Sequence, residues 1–190
     1  TNIDEQFKRL GQLRPDAPKM CSEFWSGWFD KWGASHETRT ADEMVAGIDE
    51  MLSKGISFSL YMTHGGTSFG HWAGANSPGF APDVTSYDYD APINEWGLAT
   101  EKYHLLRNTL QKYTENKLPS IPKSPMPIIS FPEVRLAKTR DLVADSTVHS
   151  HDILCREDMN MGWGLMNYET EMTEIPESSI LSVNEPHDFA

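Results

Sequence analysis

Two carboxylates and five aromatic side chains lie within the fourteen residues 20–33, which read Met-Cys-Ser-Glu-Phe-Trp-Ser-Gly-Trp-Phe-Asp-Lys-Trp-Gly. The first carboxylate, Glu23, directly follows a short Met-Cys-Ser run that suits a buried strand. Glycoside chemistry uses a carboxylate to attack or stabilise the anomeric carbon, and aromatic rings can cover the apolar C–H face of a sugar. An acid at the end of a strand, facing aromatic side chains, therefore indicates a carbohydrate site.

A second candidate region follows another apolar segment. Residues 56–62 alternate apolar with small side chains before becoming wholly apolar, which suits a strand of a covered sheet, and Tyr61 stands near its end. Residues 63–99 then show no convincing periodicity. Unpatterned connections of this length in a compact domain usually build binding sites. We therefore expect the rest of the site in this loop.

Three segments carry apolar residues at helical spacing. Residues 2–10 predict a short amphipathic helix that Gly11 would stop. Residues 41–53 are preceded by Thr40, which forms a capping box with the glutamate three residues later. A third helix is predicted to start at Thr100 and to end before the next proline. These helices are the elements that must position the candidate strands.

The strands predicted at residues 19–23 and 56–62 alternate with these helices. This order implies parallel strands and an α/β fold. Two long loops follow the carboxyl ends of the strands, as they do on the active-site face of a (β/α) barrel. A doubly wound sheet stays open on the pattern alone.

A proline-rich segment divides the chain. Residues 119–132 contain five prolines, which predicts an extended linker rather than a helix. Beyond it, Val134 and Leu136 alternate with charged residues, a pattern of short β-strands. We therefore expect three parts: an α/β region at 1–118, the linker at 119–132, and the start of a β-rich accessory domain at 133–190.

Composition excludes several classes of protein. The 190 residues carry a net charge of −12, which argues against a nucleic-acid partner because such proteins concentrate Lys and Arg on one face. No apolar stretch approaches the roughly 20 residues of a membrane span.

Cys21 and Cys155 have no metal-ligand spacing and are expected to be free thiols. Because the chain starts without a signal segment and ends in an incomplete strand region, we expect it to be an internal piece of a longer protein.

Four motifs, taken together and in order, resemble the β-galactosidases of glycoside hydrolase family 35. They are Ser-Glu-Phe-Trp-Ser-Gly-Trp-Phe-Asp-Lys-Trp-Gly at 22–33, Leu-Tyr-Met-Thr-His-Gly-Gly-Thr-Ser-Phe-Gly at 60–70, Gly-Ala-Asn at 74–76 and Thr-Ser-Tyr-Asp-Tyr-Asp-Ala-Pro at 85–92. The resemblance covers residues 1–116 and continues more weakly into Met-Gly-Trp-Gly-Leu-Met-Asn-Tyr at 161–168. It implies the last part of a (β/α)8 TIM-type barrel, followed by the start of an all-β, sandwich or jelly-roll-like region.

The resemblance also implies roles for individual residues. Glu23 matches the catalytic nucleophile of the family, Tyr61 and Tyr89 match tyrosines that contact galactose, and Trp28 matches a tryptophan near the sugar. The general acid/base of the family is the Glu of an Asn-Glu-Tyr motif that precedes the nucleophile. No Asn-Glu-Tyr occurs in this chain, so it is expected to carry only the nucleophile half of the site and to be inactive alone.

The implied activity is that of a retaining exo-β-galactosidase that removes terminal β-galactose and needs neither metal nor organic cofactor. A non-catalytic galactoside-binding or structural protein with a degenerate site, or a related exo-β-hexosaminide hydrolase, stays open as an alternative. The family also implies a secreted, periplasmic or lysosomal location for the whole protein.

Other polar residues in these loops have simpler interpretations. Asp30 could pair with Glu23 as a second catalytic acid, but an aspartate that stabilises its own loop is favoured. His64 and His71 lack a metal-ligand spacing and are expected to make hydrogen bonds within the loop. The run beginning at Asp88 resembles the opening of a calcium loop but lacks its glycine and bidentate glutamate.

Overall fold

The computed structural model describes residues 2–76, 79–123, 126–139, 146–174 and 177–183. Its centre is a parallel pair of strands, β1 (Met20–Trp25) and β2 (Ser57–Tyr61). The pairing aligns Met20 with Ser57 and Trp25 with Tyr61, with a register shift between Cys21 and Phe24. The two strands predicted from the sequence are confirmed, and the first extends two residues beyond its predicted end. Parallel pairing places both strand ends, and the loops that follow them, at one edge of the sheet.

In the described part of the chain, three α-helices accompany the strands: α1 (Ile3–Leu13), α2 (Ala41–Ser53) and α3 (Glu101–Gln111). Helix α2 has the predicted bounds. The Thr40 hydroxyl accepts a hydrogen bond from the Glu43 amide at 3.3 Å, and Gly55, with a φ of 68°, follows the end of the helix. Glycine adopts the left-handed conformation at this position more easily than any other residue. Capping residues therefore define both ends of α2, the helix that connects β1 to β2.

One predicted helix end and one predicted helix cap were wrong. Helix α1 continues through Gly11 to Leu13, because one glycine costs a helix only about 1 kcal/mol and packing elsewhere can offset that cost. Helix α3 starts after Thr100, as predicted, but that side chain does not cap it. The Thr100 hydroxyl instead donates to the Pro92 carbonyl at 2.8 Å and so ties the preceding loop to the helix.

The core lies between helix α2 and one face of the sheet. Met44, Ile48 and Met51 of α2 are at most 2% exposed, which follows from their spacing along one side of the helix. Residues packed against them from the two strands are Cys21, Phe24, Phe58 and Leu60. The side chains that alternate with these along the strands lie on the opposite, open face, where Glu23, Trp25 and Tyr61 are exposed. The sheet thus has a packed face and an open face.

The long loop after β2 has little regular structure, as predicted. It contains one small antiparallel pair, β3 (Ala75–Asn76) with β4 (Ala81–Pro82). Isolated bridges connect Lys31 to Asp83 and Thr67 to Ser86. The first of these bridges joins the loop after β1 to the loop after β2, so the two loops form one layer over the strand ends.

The described part of residues 133–183 contains no strand, and its regular structure is one 3-10 turn, Glu157–Met159. A strand requires a hydrogen-bonded neighbour, and no neighbouring strand lies beside these described residues. The short strands predicted there are therefore not seen, although part of the predicted region lies outside the described residues. The division at 118 and 132, and the β-rich accessory domain, stay predictions.

Cys21 and Cys155 are both free thiols, as predicted. Within the described residues, no helix has the length and apolar character that a bilayer crossing requires.

Candidate active site

Glu23 and Trp25 lie on the open face of strand β1, at its carboxyl end. Residues two apart on a strand point to the same side, and this brings the Trp25 indole against the Glu23 carboxylate. The indole Nε1–H donates to Oε1 of Glu23 at 2.6 Å. A hydrogen bond to an ionised acceptor is among the stronger kinds in proteins. One carboxylate oxygen of Glu23 is therefore held by its own strand.

Six aromatic rings form an aromatic cluster beside Glu23: Trp25, Trp28, Phe29, Tyr61, Tyr87 and Tyr89. The Trp28 ring lies 5.0 Å from the Trp25 ring, edge to face, and 6.2 Å from the Tyr89 ring. The Tyr61 ring meets the Tyr89 ring edge to face at 5.5 Å. These separations are those at which aromatic pairs attract one another, so residues from both loops and both strand ends share one packed group.

Two tyrosines of the aromatic cluster are held in their neutral form. Burial raises the pKa of Tyr89 to about 12, and the neighbouring Tyr61 and Glu23 add to this effect. Burial also raises the pKa of Tyr87, which shares a hydrogen bond with Tyr61 at 3.4 Å between the hydroxyl oxygens. Both phenols therefore keep their protons at neutral pH and can donate hydrogen bonds. The influence of Glu23 on Tyr89 places the carboxylate and this phenol in one electrostatic environment.

The backbone after β1 approaches the Tyr89 turn very closely. A Cβ atom added at Gly27 would lie 1.8 Å from the Tyr89 carbonyl oxygen, a distance that no side chain permits. The preceding residue, Ser26, is fully buried and donates its N–H to the Tyr61 carbonyl at 3.1 Å. Glycine at position 27 and the short serine at 26 therefore let β1, β2 and the Tyr89 turn converge.

Asp30 makes its hydrogen bonds within its own loop. Both carboxylate oxygens of Asp30 are engaged within its own loop, one by His36 Nδ1 at 2.7 Å and the other by the Glu37 amide at 2.8 Å. The hydrogen bond to Asp30 raises the pKa of His36. This geometry agrees with the expected loop-stabilising role and provides no contact between Asp30 and the Glu23 carboxylate.

The histidines and the acidic run of the second loop also have structural partners. His64 Nε2 lies 3.3 Å from the Glu95 carbonyl oxygen, and the His71 ring stacks on Trp163 at 6.3 Å. Asp88 accepts a hydrogen bond from the Glu95 amide at 3.0 Å. In the part of the chain that the structure describes, no three His, Cys, Asp or Glu side chains are grouped as metal ligands would be.

The sequence-predicted residues therefore come together. Glu23, Trp28, Tyr61 and Tyr89 belong to one group at the strand ends, although they are spread over 67 positions of the chain. Neither Trp25 nor Tyr87 was singled out by the sequence analysis. Trp25 could have been found from its two-residue spacing to Glu23 on a strand, and Tyr87 from its two-residue spacing to Tyr89.

Comparisons with known proteins identify the family of the chain. The model of the family "Glycosyl hydrolases family 35" matches residues 1–113. The chain is 41% identical to a human protein named Beta-galactosidase, over 82% of this chain and 22% of the relative. It is 37% identical to the mouse Beta-galactosidase-1-like protein, over 90% of this chain and 28% of the relative. The human Beta-galactosidase-1-like protein 3 is 37% identical over 83% of this chain and 24% of its own length.

The chain thus spans about a quarter of the length of these relatives. All four predicted site residues lie inside the stretch that the family model matches. Because that match covers more than half of the chain, the chain belongs to glycosyl hydrolase family 35.

Proposed function

We propose that this chain carries the nucleophile half of the active site of a retaining exo-β-galactosidase. The observation that carries the proposal is the Glu23 carboxylate, which is held through one oxygen by Trp25 and lies beside a cluster of aromatic rings. Among the described residues no hydrogen bond to the second oxygen, Oε2, is seen, and we assign Oε2 as the attacking atom. Glycoside hydrolysis requires a carboxylate at the anomeric carbon, and aromatic rings can cover the apolar face of the sugar; Glu23 and the aromatic cluster provide these two features.

In the proposed reaction, Glu23 Oε2 forms a bond to the anomeric carbon while the bond from that carbon to the glycosidic oxygen breaks. A second carboxylic acid, supplied by a part of the protein outside this chain, protonates the leaving oxygen. Water then attacks the same carbon while its bond to Glu23 Oε2 breaks, the second carboxylate takes the proton of the water, and galactose leaves with its configuration retained and Glu23 a free carboxylate again. The two carboxyl groups of such a pair lie about 5–5.5 Å apart.

The surrounding rings have distinct roles in this proposal. Tyr61, which is exposed, and Tyr89, which is only 2% exposed, are assigned to hydroxyl groups of the terminal galactose, which neutral phenols can contact as donors or acceptors. The high pKa of Tyr89 keeps its proton in place across the working pH range. Trp28, packed between Trp25 and Tyr89, covers the apolar side of the sugar.

The proposal also assigns strands β1 and β2 to positions in a larger barrel. The unit β1, α2, β2 is the repeat of a (β/α)8 barrel, and we assign these strands as its seventh and eighth. In such barrels the catalytic groups stand at the carboxyl ends of the strands and in the loops that follow. Glu23, Tyr61 and the Tyr89 loop occupy those positions. The open face of the sheet then faces the interior of the barrel.

The test replaces Glu23 by Gln in the full-length protein that contains this chain. A fluorinated galactosyl inhibitor should label the unaltered protein covalently and fail to label the Glu23→Gln variant. Glu115→Gln is the matched control, because Glu115 is exposed and lies after helix α3. Continued labelling of the Glu23→Gln variant would show that another residue is the nucleophile.

The sugar is tested in the same protein. Rates on an aryl β-galactoside and on the corresponding N-acetyl-β-hexosaminide should differ strongly in favour of the galactoside. Faster hydrolysis of the hexosaminide would assign the site to a related exo-hydrolase, and the absence of turnover on both would favour a binding protein.

A further inference from the structure

Lys102 is a buried lysine whose hydrogen-bond partners directly follow two residues of the aromatic cluster, Trp25 and Tyr89, in the chain. It is the second residue of helix α3 and shares a face with Leu106 and Thr109, so its side chain points inward and is only 6% exposed. The ammonium group donates to the Ser26 carbonyl at 2.9 Å, the Asp90 carbonyl at 2.6 Å and Asp90 Oδ2 at 2.5 Å. These three contacts equal the three N–H donors that a lysine has.

The partners of Lys102 belong to the two sides of the candidate site. Ser26 directly follows strand β1, and its hydroxyl donates to the Met62 carbonyl at 2.6 Å, just past the end of β2. Asp90 directly follows Tyr89. Lys102 therefore joins the backbone after Glu23 and Trp25 to the backbone that carries the Tyr89 ring.

The turn at Tyr89 needs such support. Tyr89 and Asp90 have φ angles of 62° and 49°, in the left-handed region that side chains other than glycine rarely adopt. A residue held there costs free energy and persists only when its surroundings impose it. Arg39 adds a second restraint, because its amide donates to Asp90 Oδ2 at 2.7 Å and its guanidinium donates to the Trp25 carbonyl at 3.0 Å.

We infer that Lys102 is a positioning residue of this site, whose ammonium group sets the placement of the Tyr89 ring relative to the Glu23 carboxylate. This inference rests on the proposed function where the effect of Lys102 is measured as a change in the rate of galactoside hydrolysis. Lys102 touches no reacting atom in this assignment. It acts by holding two consecutive left-handed residues against the end of β1, where the close approach of Gly27 leaves no room for adjustment.

A merely structural role makes a different prediction. Loss of a buried ion pair lowers the free energy of unfolding, but it leaves the chemistry of each folded molecule unchanged. Loss of a positioning contact lets the Tyr89 turn relax, and displacements of about 1 Å in an active site can cost about 100-fold in rate. The two roles therefore separate when the rate is expressed per folded molecule.

The first experiment compares Lys102→Met with Lys112→Met in the full-length protein. Lys112 is the C-cap of the same helix and pairs with Asp49 on the surface, with 58% of its side chain exposed. For Lys102→Met we expect kcat per folded molecule on a β-galactoside to fall about 100-fold, together with a higher KM. For Lys112→Met both constants should stay at their original values. A Lys102→Met enzyme with unchanged kcat and KM per folded molecule would overturn the inference.

A second variant keeps the test decisive if Lys102→Met folds poorly. In Lys102→Met/Asp90→Asn the buried site holds no uncompensated charge, so part of the lost thermal stability should return. A positioning role predicts that kcat stays low in this double variant, because the link from the turn to Ser26 is still absent. Recovery of stability and kcat together would show that Lys102 only stabilises the fold.

A measurement without substrate separates this inference from the proposed function. Amide hydrogen exchange over residues 85–95 should be faster in Lys102→Met than in the unaltered protein, and unchanged in Lys112→Met. Unchanged exchange in Lys102→Met would overturn the positioning role. If the unaltered protein hydrolyses no glycoside, the proposed function fails, and the exchange result still decides whether Lys102 holds the turn.

Discussion

The two faces of the small sheet show how one pair of strands serves two purposes. On the packed face, Phe24 and Leu60 contact helix α2, and a Cβ added at Gly47 of that helix would lie 2.8 Å from the Phe24 ring. On the open face, Glu23 and Tyr61 are exposed, Trp25 donates to the Glu23 carboxylate, and the Tyr61 ring meets the Tyr89 ring. The alternation of side chains along a strand separates the two sets. Changes on the packed face should therefore alter stability, and changes at the open face should alter chemistry.

The largest expected effect is on the packed side. Ile48 of α2 is fully buried, and truncation of a buried isoleucine to alanine costs about 2–5 kcal/mol of stability. We expect Ile48→Ala to lower the free energy of unfolding by about this amount in urea melts, with kcat per folded molecule unchanged. Leu13→Ala is the control, because Leu13 is 67% exposed and its loss should cost less than about 0.5 kcal/mol. A change in kcat for Ile48→Ala would mean that the two faces are coupled.

The next effect lies where the open face meets the loops. In Gly27→Ala the new methyl group collides with the Tyr89 carbonyl oxygen, so the Tyr89 turn or the end of β1 must move. We expect kcat/KM on a β-galactoside to fall about 100-fold. Gly11→Ala provides the contrast, because no atom lies within 4 Å of a Cβ at that helical position, and alanine there should stabilise helix α1 slightly. Wild-type kinetics from Gly27→Ala would contradict the close approach.

A smaller effect is expected from the hydrogen bond to Glu23. Trp25→Phe keeps an aromatic ring against Trp28 but removes the indole N–H. Because hydrogen bonds to charged groups contribute about 1.5–3 kcal/mol, we expect kcat to fall roughly tenfold or more, with little change in melting temperature. Trp32→Phe is a matched control in the same loop, since Trp32 is 73% exposed. Equal kinetics for both variants would remove Trp25 from the mechanism.

The smallest effect concerns the loop after β1. The hydrogen bond to Asp30 raises the pKa of His36, and Asp88 and Asp90 act in the same direction. Protonated His36 therefore stabilises the folded state below pH 6.5, the ordinary value for histidine, and this contribution is lost as the pH rises through the folded-state pKa. His36 is about half exposed, so the contribution is about 0.5 kcal/mol.

This pH dependence can be measured with Asp30→Asn. The difference in the free energy of unfolding between the unaltered protein and Asp30→Asn should be larger at pH 5.5 than at pH 8. Asp16→Asn, which changes an exposed aspartate in another loop, should show no such trend. A difference that grows with pH would reverse the assigned role of the Asp30 and His36 pair.

Much of this arrangement can be predicted from the sequence because its signals are local. The bounds of helix α2 follow from Thr40, Glu43 and Gly55, each within a few residues of the helix end that it controls. The four predicted site residues were found from motifs, and they lie in one group. The stop at Gly11 failed because a single glycine is a weak signal, which costs a helix only about 1 kcal/mol.

Contacts between distant residues could not be predicted in the same way. Nothing near Lys102 in the sequence distinguishes it from an exposed helical lysine, and its partner Ser26 is 76 positions away. The same holds for Arg39 and Asp90, which are 51 positions apart. Such pairs depend on how two loops meet above the sheet.

The sequence by itself determined the family motif around Glu23, the aromatic composition of the loops and the alternation that puts Glu23 and Phe24 on opposite faces. Only the tertiary structure decided that Trp25 binds the Glu23 carboxylate, that Tyr87 joins the aromatic cluster, and that Lys102 is buried beneath the Tyr89 turn. The physical reason is that periodicity and capping act within a few residues, whereas the placement of a side chain between two loops depends on the packing of the whole chain around it.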